Sequence, residues 1–136
     1  FGPCEICGIA APELVEFVEN RFDTADETEK REIALSYIKR FRALNADVIV
    51  LGCTHFLFLL DEFRQEAAPD ILVFDSVDGI TRRVESLLDN SGGKLRAPEG
   101  NAGINRVLLT GSAAPNSAWQ DRARAMGFEL ALLEEA

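Results

Sequence analysis

Apolar residues recur at helical spacing through the first third of the chain. Leu14, Val15, Phe17, Val18 and Phe22 follow Pro12, whose fixed φ suits a first helical turn, and predict a helix beginning there. From Asp26 to Leu44 the stripe Ile33, Ala34, Tyr37, Ile38 and Phe41 lies opposite a polar face opened by Thr28 and Glu29, which predicts a second, longer helix. The period then changes. Asp47-Val48-Ile49-Val50-Leu51 is continuously apolar after its first residue and rich in branched side chains, the pattern of a strand covered on both faces, and it stops at Gly52. A helix over 57–66, a turn at Pro69-Asp70, a strand Ile71–Phe74 and a helix Asp78–Leu88 follow. Helices alternating with apolar strands predict an α/β fold in three layers, a mostly parallel sheet between flanking helices.

The polar, Gly-containing run from Asp89 to Asn105 reads as a linker. Beyond it the pattern gives a strand Arg106–Thr110, a loop Gly111–Asn116, a helix Ser117–Met126 and a strand Phe128–Leu133, too little for an independent domain. The expected organisation is an α/β domain over 1–91 and a linker with a strand-helix-strand tail over 92–136. Trp119, with Phe128 nearby in the tail, is expected to be core rather than a ligand platform.

Composition narrows the function classes. The 136 residues suffice for one ordinary domain with a core, and 47% hydrophobic with 27% charged residues is far from the signature of disorder. A formal net charge of -9 argues against a nucleic-acid surface, which needs clustered Lys and Arg. With no apolar stretch long enough to span a membrane and no leader pattern, the expectation is a soluble, cytoplasmic protein. Cys4, Cys7 and Cys53 are an odd set, read as reduced thiols rather than a disulfide framework. Cys4-Glu5-Ile6-Cys7 has the spacing of a redox dithiol or half a zinc site, but no second pair exists and no strand precedes it. It is taken as a chance pair, no metal is expected, and Phe1 as first residue reads as the start of a truncated chain.

Candidate chemistry gathers at one strand end. Ligands of doubly wound sheets sit beyond the carboxyl ends of strands, and Cys53 lies there, after a Gly52 expected to permit close approach and before a helix whose N-terminal dipole favours thiolate. The only histidine, His55, is two residues on, so a thiol and its candidate base occur together. On residue types alone, a small buried cysteine beside a turn histidine fits equally well.

The segment Ala46-Asp47-Val48-Ile49-Val50-Leu51-Gly52-Cys53-Thr54-His55-Phe56 resembles the second signature of glutamate racemases, an apolar strand leading into Leu-Gly-Cys-Thr-His and an aromatic residue. Three further segments agree in order. Ala11-Pro12-Glu13-Leu14-Val15-Glu16-Phe17-Val18-Glu19 is similar to the family's Cys-Pro-x-Phe/Leu-Val-Pro-x-x-Glu, Phe74-Asp75-Ser76 to its Val-Asp-Ser, and Val107-Leu108-Leu109-Thr110-Gly111 to its last strand and turn.

The resemblance implies that Cys53 is the thiol of the second domain, which takes the α-proton on the L-glutamate face. It further implies that His55 assists that proton transfer, that Glu19 is the acidic residue near the site, and that Thr54 holds the substrate's polar head. Neither pyridoxal phosphate nor metal is implied. The family's other thiol lies in an N-terminal half with no counterpart here, so that half is the expected partner and the chain alone is expected to be inactive. The tail, which in the family completes the N-terminal domain, is then expected to be bare, disordered or paired with a second copy. Departures are Phe56-Leu57 where Tyr-Pro is common, and Ala11 and Glu16 where Cys and Pro are; the last two weaken the alignment that selects Glu19. Aspartate or hydantoin racemase chemistry, and a non-catalytic binding module with Cys53 in the core, are the alternatives.

Overall fold

The structure is a computed structural model, and it describes residues 2–90, 105–111 and 115–133. The chain falls into two compact units, Phe1–Leu87 and Leu88–Ala136. Of the linker expected over 89–105, Asp89 and Asn90 are instead the last residues of a helix, while 91–104 and the middle of the loop after Gly111 lie outside the described residues.

In the first unit the elements run α1 (Pro12–Asn20), α2 (Glu27–Ala43), β1 (Val48–Val50), a 3₁₀ helix (Thr54–Leu59), α3 (Leu60–Ala67), β2 (Leu72–Phe74) and α4 (Val77–Asn90). Pro12 opens α1 as its sequence position predicts. Asp26 caps α2, its Oδ1 accepting from the Glu29 N–H at 2.8 Å, which satisfies one of the backbone donors a helix start leaves orphaned. Asn45 closes α2 at φ 54, and the N–H of Ala46 reaches back to the Phe41 carbonyl at 3.1 Å. This left-handed cap turns the chain directly into β1. The expected helix over 57–66 begins instead as the 3₁₀ helix, and regular α geometry starts only at Leu60.

β1 and β2 pair in parallel, Val48 opposite Leu72, Ile49 opposite Val73 and Val50 opposite Phe74. Their alternation decides what is covered. Ile49 and Leu51 point into a core with Leu14, Phe17, Val18, Ile38, Leu59 and Phe63, drawn from α1, α2, α3 and the 3₁₀ helix. Each of these large side chains contributes about 1.5–3 kcal/mol by leaving water. Val48, Val50, Leu72 and Phe74 point the other way and are exposed. The expectation that this strand is covered on both faces is therefore corrected: helices cover one face only, and no residue of α4 is buried. Arg64 of α3 pairs with Asp75 just past β2 at 3.0 Å, and Asp75 also accepts from the Val77 N–H at 2.9 Å at the start of α4.

The second unit is a β-α-β piece, β3 (Arg106–Leu109), α5 (Ser117–Ala125) and β4 (Glu129–Leu132), with β3 and β4 parallel. Asn116 caps α5 by accepting from the Trp119 N–H at 3.0 Å, and Gly127, at φ 79, ends it by letting Phe128 N–H bond the Ala123 carbonyl at 2.8 Å. Trp119 is half-buried under the Arg122 guanidinium, 4.7 Å from the ring centroid, rather than fully enclosed. Parallel strands alternating with helices in both units give the α/β class expected from the sequence.

Candidate active site

The parallel pairing of β1 and β2 puts both carboxyl ends at the same end of the sheet, so Cys53 and the Asp75-Ser76 turn emerge together. Cys53 is extended, at φ -139 and ψ 140, and stands immediately before the 3₁₀ helix. It is half-buried and lies outside the enclosed core, which does not fit the alternative of a core cysteine. A side chain added at Gly52 would meet nothing among the described residues, so the backbone there is open to an approaching group.

The tight turn after Cys53 brings His55 back onto it, with Nδ1 3.5 Å from the Cys53 Sγ. On the other side of the ring, Nε2 lies 2.6 Å from Oε1 of Glu19. The contact spans 36 residues of sequence and depends on the packing of α1 against the 3₁₀ helix. Leu14, Phe17 and Val18 anchor α1 in the core, which leaves Glu19 half-exposed at its rim, facing His55. A carboxylate can only accept, so the Nε2 proton is directed at Glu19 and Nδ1 is left facing sulfur. The structure thus joins Cys53, His55 and Glu19 in one line, while Thr54, the fourth residue singled out from the sequence, starts the 3₁₀ helix with its side chain exposed.

Electrostatics follow from these contacts. The His55 backbone N–H and then its ring hold the Cys53 thiol below its ordinary range. Hydrogen bonding to Glu19, and next to Cys53, raises His55 above the ordinary imidazole value. The two shifts act together, because a thiolate and an imidazolium side by side each stabilise the other's charged form.

A second polar contact had no signal in the sequence. The Tyr37 hydroxyl donates to Oε2 of Glu13 at 2.7 Å, tying α2 to α1. Burial, and then this bond, push Tyr37 up to about 12, while the bond lowers Glu13. It braces the helix that carries Glu19. Cys4 and Cys7 are exposed on the irregular segment before α1, and line a groove of about 1320 Å³ along β1 together with Val48 and Gly52. Neither Cys53, His55 nor Glu19 lines it, so the groove is not the thiol's pocket. Among the described residues no group of His, Cys, Asp and Glu is arranged to hold a metal ion, and no helix is long and apolar enough to cross a membrane.

No family model matches the chain. It is similar to a glutamate racemase of Bifidobacterium animalis subsp. lactis (strain AD011), 34% identical over 93 residues, covering 68% of this chain and 35% of that protein. A glutamate racemase of Vibrio vulnificus (strain YJ016) is 29% identical over 120 residues, 88% of this chain and 43% of that protein. In three dimensions it is similar to a glutamate racemase isoform from Bacillus anthracis, with a TM-score of 0.58 and 21% identity over 90% of this chain and 44% of that one. By sequence the chain belongs with the glutamate racemases, and its fold is similar to that of one of them. It spans less than half the length of each of these racemases.

Proposed function

We propose that this chain supplies one half-site of a cofactor-independent glutamate racemase, in which Cys53 exchanges the α-proton on one face of the substrate. The observation that carries this reading is the line from Cys53 through His55 to Glu19 at the carboxyl end of β1. Inverting a chiral carbon without a cofactor requires a base on one face and an acid on the other. A thiolate beside a protonated imidazole meets the demand on one face. As Cys53 takes the α-proton, His55 keeps its own and Glu19 stabilises its charge; on the return step the same pair lets the thiol give a proton back. Thr54, adjacent to the thiol, is assigned to the substrate's polar head.

The second thiol, on this reading, comes from polypeptide corresponding to the part of the relatives that the chain does not match, their N-terminal half. The chain by itself should then not racemise glutamate. Glutamate is the substrate, and D-glutamate for cell-wall peptidoglycan, made in the cytoplasm, is the role that this reading carries. The domain assignment goes with it: 1–91 belongs to the C-terminal racemase domain and 92–136 to a linker and tail that complete the N-terminal one.

The test is a chimera in which this chain replaces the matching stretch of the Vibrio vulnificus racemase. Followed by proton NMR in deuterium oxide, it should exchange the α-proton of L-glutamate and form D-glutamate, and Cys53→Ala should abolish exchange from the L enantiomer. Undiminished two-way racemisation by Cys53→Ala would sink the assignment.

A further inference from the structure

Racemisation needs two opposed bases, whereas acyl transfer needs one nucleophile with its base on the same side, and the first unit holds such a set entire. The Cys53 thiol is 3.5 Å from Nδ1 of His55, and the far nitrogen of that ring is 2.6 Å from a Glu19 carboxylate. This is the order nucleophile, base, orienting acid that covalent catalysis uses on unrelated folds. We propose that Cys53, His55 and Glu19 hydrolyse small activated esters and thioesters through a covalent thioester on Cys53, an activity that the chain carries without a second polypeptide. It uses the side chains of the racemase reading but rests on their geometry and not on that reading, since glutamate takes no part.

Access supports it. The site lies at the rim of the core, where the side chains of His55 and Glu19 remain 25% and 35% exposed. Cys53 itself is half-buried and so is not sealed into the core. The chain's other thiols offer an internal contrast: Cys4 and Cys7 are exposed, but the single imidazole of the chain is taken up by Cys53 and Glu19.

The reaction balances as ester plus water to acid plus alcohol. The sulfur attacks the carbonyl carbon, the carbon–oxygen bond breaks, and the leaving alkoxide takes the proton of protonated His55; where the leaving group is a stable phenolate, that proton passes to solvent instead. Neutral His55 then removes a proton from water as the water oxygen attacks the thioester carbon. The carbon–sulfur bond breaks, the acid departs, and the thiolate returns beside a protonated ring. Glu19 touches no reacting atom; it is a positioning residue that holds Nδ1 toward sulfur.

The experiment uses the whole chain with Cys4→Ser and Cys7→Ser, which should leave turnover unchanged, and p-nitrophenyl acetate as probe. Nitrophenolate release is followed in the steady state, and mass spectrometry of acid-quenched protein locates the acetyl group. One acetyl on Cys53 with continuing release is expected. His55→Asn should slow release by about 100-fold, the scale of a lost general base, and Glu19→Gln should lower release and move its pH profile toward that of an ordinary imidazole. Alkylating Cys53 with iodoacetamide in the otherwise unchanged chain should abolish release, a check that does not depend on a variant folding. Release that survives alkylation, acetyl spread over lysines with none on Cys53, or a stable acetyl-cysteine without turnover would each overturn the proposal.

Discussion

A carboxylate 2.6 Å from one nitrogen of an imidazole determines what the other nitrogen can do. With Glu19 accepting from Nε2, the ring of His55 keeps Nδ1 toward Cys53, and the raised imidazole and lowered thiol reinforce each other. Glu19→Gln should let His55 fall toward its ordinary value, so iodoacetamide labelling of Cys53 should need a higher pH and be slower at neutrality. An unchanged labelling profile would show that Glu19 does not act through the ring. The same shift makes a stability statement. A histidine raised in the folded state contributes stability that is full below its unfolded value of about 6.5 and is lost as pH rises through the raised one. The urea midpoint of the chain should therefore exceed that of His55→Gln most at pH values below about 6.5, and the gap should close on going alkaline. Sequence made half of this site legible. Cys53 and His55 are two positions apart and turn toward each other locally, whereas Glu19 lies 36 positions from His55 and was named only through the family resemblance. Tyr37 and Glu13 gave no signal because each also fits an ordinary helix face.

Elements with two distinguishable faces could be read, and elements without them could not. In α2, Ala34, Tyr37 and Ile38 are buried as their spacing predicts, because a polar face opposite fixes the phase of the helix. The stretch Thr54–Leu59 is apolar from Phe56 onward, so periodicity cannot separate a 3₁₀ helix from an α-helix there. Packing decides it, with Leu59 fully buried and Phe58 meeting Phe22 edge-on at 5.5 Å between centroids. The beginning of α2 was legible too: the pattern starts at Asp26, and Asp26 is the side chain that caps the helix. Asp26→Ala should cost about 1 kcal/mol, the usual worth of such a cap, seen as a lower urea midpoint with an unchanged slope. Thr28→Ala, at a position that caps nothing, should change the midpoint much less. Equal losses from the two substitutions would relocate the cap.

A parallel sheet ordinarily has both faces covered, and the continuous apolar run at β1 led to that expectation here. The run records what a strand's environment should be; it carries no information about which polypeptide supplies the cover. In the structure the Val48–Leu72 and Val50–Phe74 pairs form a two-by-two apolar patch with exposures of 42%, 61%, 71% and 54%. Apolar side chains of α4, Ile80 and Val84 among them, are exposed as well. Large contiguous bare apolar surface is uncommon on stable monomers. The bareness of this patch has a direct energetic consequence. Substituting an exposed side chain that makes no special contact typically changes stability by no more than about 0.5 kcal/mol, whereas placing a charge in a covered apolar layer costs several times that. Val50→Lys with Phe74→Lys should therefore leave the urea midpoint of the chain nearly unchanged while sharply reducing its fluorescence enhancement of the apolar dye ANS. The control is Ile49→Lys, between them in register but only 1% exposed, which should unfold the first unit. If the double substitution instead destabilised the chain by about 2 kcal/mol or more, the outer face would be covered in solution. Sedimentation velocity would then separate the two available covers, because a second copy doubles the mass and α4 of the same chain does not.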